Sequence, residues 1–266
     1  VMPNAATNTM VSNNAIWNLI GTNANVNRYG IRFSASKIDA SYRTANDVIA
    51  NNTVWIPTDN FAETCGNLAA LKLSDLEDAQ IFNNALMITE TSFGTNGHSA
   101  LINYSGNRPS VDNVLINRNV YYYDENAQNN DVAFFEELDA NGVKYPQTGV
   151  INEFKNLDQW QYWTGCDEHS YFYNFKDEIA INSNNKLRMK LDAEGQYPIN
   201  SKLNNTGYIY DELYINNVAL DEYLNIHDID GGLRGIASAR YDIGAFEFLG
   251  RVYIKDLEAV KITSPM

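Results

Sequence analysis

A short asparagine-centred segment recurs four times in the first half of the chain, and it constrains the fold more than any other feature. Each copy has apolar residues, then an Asn or an Asn pair, then apolar and aromatic residues. The copies align, in steps of 38, 32 and 35 residues, on Asn14, Asn52, Asn84 and Asn119. Uneven steps of this size are typical of a solenoid whose coils carry loops of different length.

The residues around each Asn predict short strands that meet at a corner. Apolar residues come in bursts without a 3.6-residue period, and the chain holds 37 Asn, a residue that favours tight turns. Stacked coils would place each Asn over the next, so their side-chain amides would form a hydrogen-bonded ladder. The alternative is a β-sandwich, whose hairpins favour Asn-Gly turns; the Asn-Gly pairs are 96–97 and 141–142.

Charge and cysteine content argue against several classes of protein. The net charge of −14 argues against nucleic acid as a partner, because phosphate binding needs clustered Lys and Arg. No apolar run approaches the length of a membrane span. Cys65 and Cys166 lack the spacing of metal ligands, and two separate buried thiols are favoured over one bridge.

Three segments predict short helices that leave the coils. They are 68–80, 132–138 and 156–163, and in the last of these Asn156 is expected to cap the first turn.

Two segments of the C-terminal third carry a recognisable motif. They are DQWQYWTGCDEHS at 158–170 and DIDGGLRGIASARYDIGAFEF at 228–248. They resemble the closing region of secreted bacterial right-handed parallel β-helix proteins, the choice-of-anchor class, which implies no catalytic residues. The matching positions of the ending are Asp230, Gly231, Arg234, Asp242, Ile243, Gly244, Ala245, Phe246 and Glu247. One departure is the segment 197–200, which keeps a Pro of the pattern but lacks its Asp.

The resemblance implies an all-β chain: the C-terminal portion of a right-handed parallel β-helix with short helical excursions. Coils would occupy 1–248 and end near 228–248, and 249–266 would form a final strand or a linker to an anchor. Because nothing before Asn13 resembles a capping helix, we expect further N-terminal coils or a covering partner.

The ending itself predicts two structural features. Alternating apolar and acidic residues in 241–248 indicate a half-buried strand. Arg234 is expected to pair with Asp242 or Glu247 and so to fix the last turn.

Two further groups of residues suggest chemistry. Asp167, His169 and Ser170 include the residue types of a hydrolase triad, but such close neighbours in sequence rarely converge, and a structural role is favoured. Asp228 and Asp230 are weak candidates for a calcium site, since calcium takes six or more oxygens; otherwise no cofactor is expected.

Aromatic residues give the main functional expectation. Trp160, Trp163 and Tyr122 are the candidates for stacking on sugars, and Arg188 and Lys190 for attracting acidic polymers.

We therefore predict a non-catalytic module of the bacterial cell surface or exterior that binds glycans or mediates adhesion. Its partners would be polysaccharides or other surface proteins. The alternative is a polysaccharide lyase or hydrolase whose active coils lie mostly N-terminal of this chain.

Overall fold

The computed structural model describes residues 9–17, 19, 27–34, 44–45, 47–57, 66–89, 99–109, 112–124, 130–137, 153–191, 193, 195, 197–198, 200–204, 206–208, 214–215, 218–219, 227–230, 234 and 241–246. These residues are mostly β-structure, which confirms the all-β class. The elements are β1 (Met10–Ser12), β2 (Ala15–Ile16), β3 (Arg28–Ser34), β4 (Thr44–Ala45), β5 (Val48–Ala50), β6 (Thr53–Ile56), β7 (Leu68–Ser74), β8 (Leu76–Glu77), β9 (Gln80–Phe82), β10 (Ala85–Ile88), β11 (Ser99–Gly106), β12 (Leu115–Asn117), β13 (Val120–Tyr123), β14 (Asn130–Glu137), β15 (Glu153–Phe154), α1 (Leu157–Thr164), β16 (Tyr171–Phe172), β17 (Ile179–Ile181), β18 (Leu187–Met189), β19 (Tyr214–Ile215) and β20 (Val218–Ala219).

Three parallel sheets receive strands in turn as the chain advances. Sheet 1 has the order β1-β5-β9-β12, and sheet 2 the order β2-β6-β10-β13-β16. Sheet 3 has the order β3-β7-β11-β14, and β15 is antiparallel at its edge. Each pass through the three sheets therefore forms one repeat, and successive repeats pair strand on strand. The described pairs β17-β18 and β19-β20 are antiparallel and lie outside these sheets.

The inward side chains of the three sheets share one apolar core. Alternate residues of a strand point to opposite faces, so every second residue enters this core. Sheet 1 contributes Ile49 and Ile81, sheet 2 contributes Val54 and Leu86, and sheet 3 contributes Leu71, all at most 1% exposed. Shared burial of this kind joins all three sheets into one packed unit.

The predicted asparagine ladder is present at the turn from sheet 1 to sheet 2. Asn52 Oδ1 accepts from Asn14 Nδ2 at 2.8 Å, Asn84 Oδ1 from Asn52 Nδ2 at 2.9 Å, and Asn119 Oδ1 from Asn84 Nδ2 at 3.0 Å. Each Oδ1 also accepts the backbone N–H of the Asn below it. The last three Asn are fully buried, so the ladder satisfies polar groups that would otherwise lack partners.

A left-handed residue precedes every Asn of the ladder. These residues are Asn13, Asn51, Asn83 and Arg118, with φ between 52° and 57°. Asn adopts this conformation at a lower cost than most residues, which explains why three of the four turns contain an Asn pair.

Two helix predictions are wrong and one is confirmed. Residues 68–80 contain β7 and β8, and 132–138 lies largely in β14, because strand pairing and core packing override the local helix preference of these segments. The third segment forms α1, and Asn156 Oδ1 accepts from Gln159 N at 2.9 Å as the expected cap.

Helix α1 packs at the end of the sheets that follows the last repeat. Leu157, Trp160 and Thr164 are its buried residues, and the Trp160 ring lies edge-on to Phe154 of β15 at 5.4 Å. The described parallel strands end with β16 at Phe172.

The family-like ending does not form a terminal coil in the described residues. Residues 241–246 form no strand; they lie along the outside of the turn that carries the ladder, where Gly244 N donates to Asn83 O at 2.7 Å. Ala245 N donates to Thr53 Oγ1 at 2.9 Å. The ending thus crosses several repeats from outside. Gly231, Glu247 and 249–266 lie outside the described residues.

Arg234 binds this turn through backbone carbonyls and an Asn side chain. Its Nη2 donates to Gly244 O and to Asn13 Oδ1, both at 2.9 Å, and its Nη1 donates to Asp242 O at 3.5 Å. The expected partner was the Asp242 carboxylate, whereas these contacts reach its main chain. They tie the ending to the first described repeat.

Candidate ligand-binding surface

The ladder aligns a row of large side chains on the outward face of sheet 2. Because each ladder position fixes the strand that follows it, the residues three positions later share one register. These residues are Trp17, Trp55, Met87, Tyr122 and, after Ser170 at the end of the ladder, Tyr173. We call them the aromatic row.

The ends of the aromatic row are accessible, whereas its middle is covered. Trp17, Trp55 and Tyr173 are half-buried, Met87 is fully buried and Tyr122 is 9% exposed. The cover comes from apolar residues of the segment after β16, together with Ile243 and Phe246 of the ending. Tyr122, which the sequence predicted as a stacking residue, therefore lies within the row but presents little surface.

Polar groups border both accessible ends of the row. At one end Trp55 Nε1 donates to Thr89 Oγ1 at 3.0 Å. At the other, Tyr173 OH donates to Glu178 Oε1, and Ser201 Oγ donates to Glu178 Oε2 at 2.5 Å. Burial, followed by the nearby Glu178 carboxylate, raises the pKa of Tyr173 to about 12. The phenol therefore stays protonated at neutral pH and remains a hydrogen-bond donor.

The structure places Arg188 in an ion pair. Arg188 Nη2 lies 2.7 Å from Asp230 Oδ1, and its guanidinium lies 5.8 Å from the ring centre of Phe246. The expectation that Arg188 attracts acidic polymers is weakened, because its charge is already balanced by Asp230. Lys190 is exposed on the chain just after β18.

The candidate calcium residues form part of the same ion-paired group. Asp230 N donates to Asp228 Oδ1 at 2.9 Å, which closes a local turn. Burial, followed by the charges of Asp230 and Asp228, raises the pKa of Tyr197, so all three lie close together. Within the described residues no group of three or more His, Cys, Asp or Glu is placed to hold a metal ion.

The expectation that Trp160 and Trp163 stack on a ligand is not supported by their positions. Trp160 is fully buried and donates Nε1 to Asp167 Oδ2 at 2.7 Å. Trp163 is half-buried, with the Arg108 guanidinium 4.2 Å from its ring centre and the Phe135 ring on it at 4.6 Å. Helix α1 carries both residues away from Tyr122, which lies on sheet 2. The structure does not bring the three predicted residues together.

Asp167 closes the ladder, which explains the group that resembled a triad. Its Oδ1 accepts from Asn119 Nδ2 at 3.3 Å and from Ser170 Oγ at 2.5 Å, and Tyr121 OH lies 2.9 Å away. Ser170 Oγ in turn accepts from Asn119 N at 2.8 Å. Asp167 and Ser170 together thus replace one further Asn of the ladder.

His169 takes no part in this cluster through its side chain, which is exposed; its backbone N–H donates to Asn117 Oδ1 at 2.8 Å. Burial raises the pKa of Asp167 above its usual value, although the hydrogen bonds of the cluster hold it down. The Asp, His and Ser do not form a catalytic triad, since a base must contact the nucleophile.

A cleft of about 310 Å³ lies between β12 and the segment that follows α1. Cys166 lines it as a free, half-buried thiol, and burial raises its pKa to about 11. A thiol with this pKa is a poor nucleophile at neutral pH, so the cleft has no reactive group of this kind. Cys65 lies outside the described residues.

A comparison with protein-family models, curated proteins and solved structures finds no match for this chain. Among the helices that the structure describes, none is long and apolar enough to cross a membrane.

Proposed function

We propose that the three sheets form a right-handed parallel β-helix of the secreted bacterial class that the ending resembles. The cyclic order of the sheets and the ladder between repeats support this assignment. Crossover connections between parallel strands are almost always right-handed, which supports the hand.

We propose that the chain is a non-catalytic glycan-binding module of the bacterial cell surface or exterior. The observation that carries this proposal is the aromatic row, because a stack of repeats holds Trp17, Trp55 and Tyr173 in line on one outward face. Exposed aromatic rings with nearby hydroxyl and carboxylate groups are the usual platform for a sugar face. A polysaccharide is the partner that matches a linear row, and adhesion to other surface proteins is the related role.

The rigidity of the support favours binding over a mobile active site. Neighbouring strands are about 4.8 Å apart, so the row presents its rings at a regular spacing. The buried ladder fixes that spacing, and the ligand therefore meets a preformed surface.

The test uses the full chain in affinity gel electrophoresis with hydroxyethylcellulose, xylan, mannan and polygalacturonate. We expect at least one polymer to retard the protein, and Trp55→Ala to weaken that binding by about fivefold. Tyr162→Ala is the matched control, because Tyr162 is 94% exposed on α1, away from the row. Retention of wild-type affinity by both Trp55→Ala and Trp17→Ala would overturn the role of the row.

The alternative function, polysaccharide degradation, is tested in the same samples. Each polymer is incubated with the protein and assayed for new reducing ends and for unsaturated products. The proposal expects binding without turnover. Sustained turnover of any polymer would show an enzyme and would reject the non-catalytic assignment.

A further inference from the structure

Sheet 3 has an outward face with a different character from that of sheet 2. The outward residues of its four parallel strands share one register, and they are Arg32, Lys72, Asn103 and Phe134. The residues on either side of Lys72, Leu71 and Leu73, are fully buried in the core, so the chain alternates strictly at this position. Two cations therefore lie side by side in a protein whose net charge is −14.

The Lys72 ammonium is held in place by buried polar side chains. Lys72 Nζ donates to Asn103 Oδ1 at 2.7 Å and to Ser105 Oγ. Asn103 and Ser105 are 4% and 3% exposed, whereas Lys72 itself is half-buried. Because buried partners restrict the long side chain, less entropy is lost when the ammonium meets an anion.

Arg32 completes the cationic part of the row. Its side chain is exposed, and its strand neighbours Ile31 and Phe33 point into the core. Adjacent strands are about 4.8 Å apart, which allows one anionic group to contact both cations. A guanidinium binds a carboxylate through two parallel N–H groups, which favours this anion.

We propose that Arg32 and Lys72 bind the carboxylate of a uronic acid in an acidic polysaccharide. This inference rests on the proposed glycan-binding function and names the class of glycan. Phe134, half-buried two strands beyond Lys72, offers an apolar contact for a neighbouring sugar ring. From Arg32 to Phe134 the row spans about 14 Å, or three strand spacings. The ligand would thus run across the strands, parallel to the aromatic row of sheet 2.

The experiment compares polygalacturonate with its methyl ester, a neutral polymer of the same backbone. Binding to the full chain is measured for wild type, Arg32→Gln, Arg32→Lys and Lys186→Gln. Lys186→Gln is the matched control, because it removes one charge from an exposed residue near β18. Thermal unfolding of each variant checks that the fold is retained.

We expect Arg32→Gln to weaken binding to polygalacturonate by about tenfold, and Arg32→Lys to weaken it less. Binding to the methyl ester should be the same in wild type and Arg32→Gln. Added salt should weaken the interaction with the acidic polymer, since partly exposed charges are screened.

Equal affinity of Arg32→Gln and Lys186→Gln for polygalacturonate would overturn this inference. The proposed function would survive that result if Trp55→Ala still weakens binding to any polymer. Conversely, a loss of binding in Arg32→Gln with no effect of Trp55→Ala would support the sheet 3 site and reject the aromatic row. Absence of binding to every polymer would overturn both.

Discussion

Asn84 donates its side-chain N–H to Asn119 Oδ1 across 3.0 Å, although the two residues are 35 positions apart and both are fully buried. The contact links equivalent turns of successive repeats. It also fixes the register of the strands that follow, and hence the alignment of the aromatic row. The stability of this ladder is the first property to test.

Replacing Asn84 by Ala should destabilise the protein by about 3 kcal/mol. The substitution leaves Asn52 N, Asn52 Nδ2 and Asn119 Oδ1 without their partner, and each buried unsatisfied group costs about 1–3 kcal/mol. Urea unfolding followed by circular dichroism measures the loss. Asn14→Ala is the control at the exposed end of the ladder, where we expect less than about 1 kcal/mol. Equal losses would contradict the role of burial.

The Asp167 carboxylate should give a defined pH dependence. Burial raises its folded pKa above the unfolded value near 3.8, so the folded state binds more protons between the two values. The free energy of unfolding contributed by this group therefore falls as the pH rises through that window. Asp167→Asn removes the titration, so the stability advantage of wild type over this variant should shrink from acid pH upward. An advantage that grows with pH would contradict the shift.

Two aromatic residues of α1 should respond in opposite ways to substitution. Trp160→Ala removes a fully buried ring and leaves Asp167 without one donor, and we expect a loss of about 3–5 kcal/mol. Tyr162→Ala should change stability by less than about 0.5 kcal/mol, because Tyr162 is 94% exposed. Chemical unfolding of both variants decides the matter, and a mild effect at Trp160 would show that α1 does not seal the core.

The crossing of the ladder turn by the ending depends on a glycine. Gly244 has φ +102°, and a Cβ there would lie 2.6 Å from Thr53 Oγ1, so Gly244→Ala should cost about 3 kcal/mol. Gly195→Ala is the control: φ is +74°, but no atom lies within 4 Å of the new Cβ, and about 1 kcal/mol is expected. Limited proteolysis should release the ending in Gly244→Ala. Equal resistance in both variants would argue against the crossing.

Local repetition explains what the sequence could predict. The ladder of Asn14, Asn52, Asn84 and Asn119 repeats one pattern in every turn, and Asn156 caps a helix through a residue three positions away. The aromatic row follows from the same alignment, since each member comes three residues after a ladder position. That spacing was present in the sequence but was not used to find Trp17 and Trp55.

Long-range contacts explain what the sequence could not predict. Arg234 reaches Asn13 across 221 residues, and no local pattern encodes that contact. Trp160 and Trp163 looked like ligand-binding residues because their types are suitable, whereas their exposure depends on how α1 packs. In the same way, the helix preference of 68–80 yields to the pairing of β7 with strands on both sides.

The most direct test of the central claim measures quenching of tryptophan fluorescence by acrylamide, with and without the tightest-binding polysaccharide. Of the four Trp, Trp17 and Trp55 are half-exposed in the aromatic row, Trp160 is buried and Trp163 is covered by Arg108. We predict that the polysaccharide protects the wild-type protein from quenching and gives no protection to the Trp17→Phe/Trp55→Phe double variant. Unchanged quenching of wild type at saturation, or protection that persists in the double variant, would contradict binding at the aromatic row.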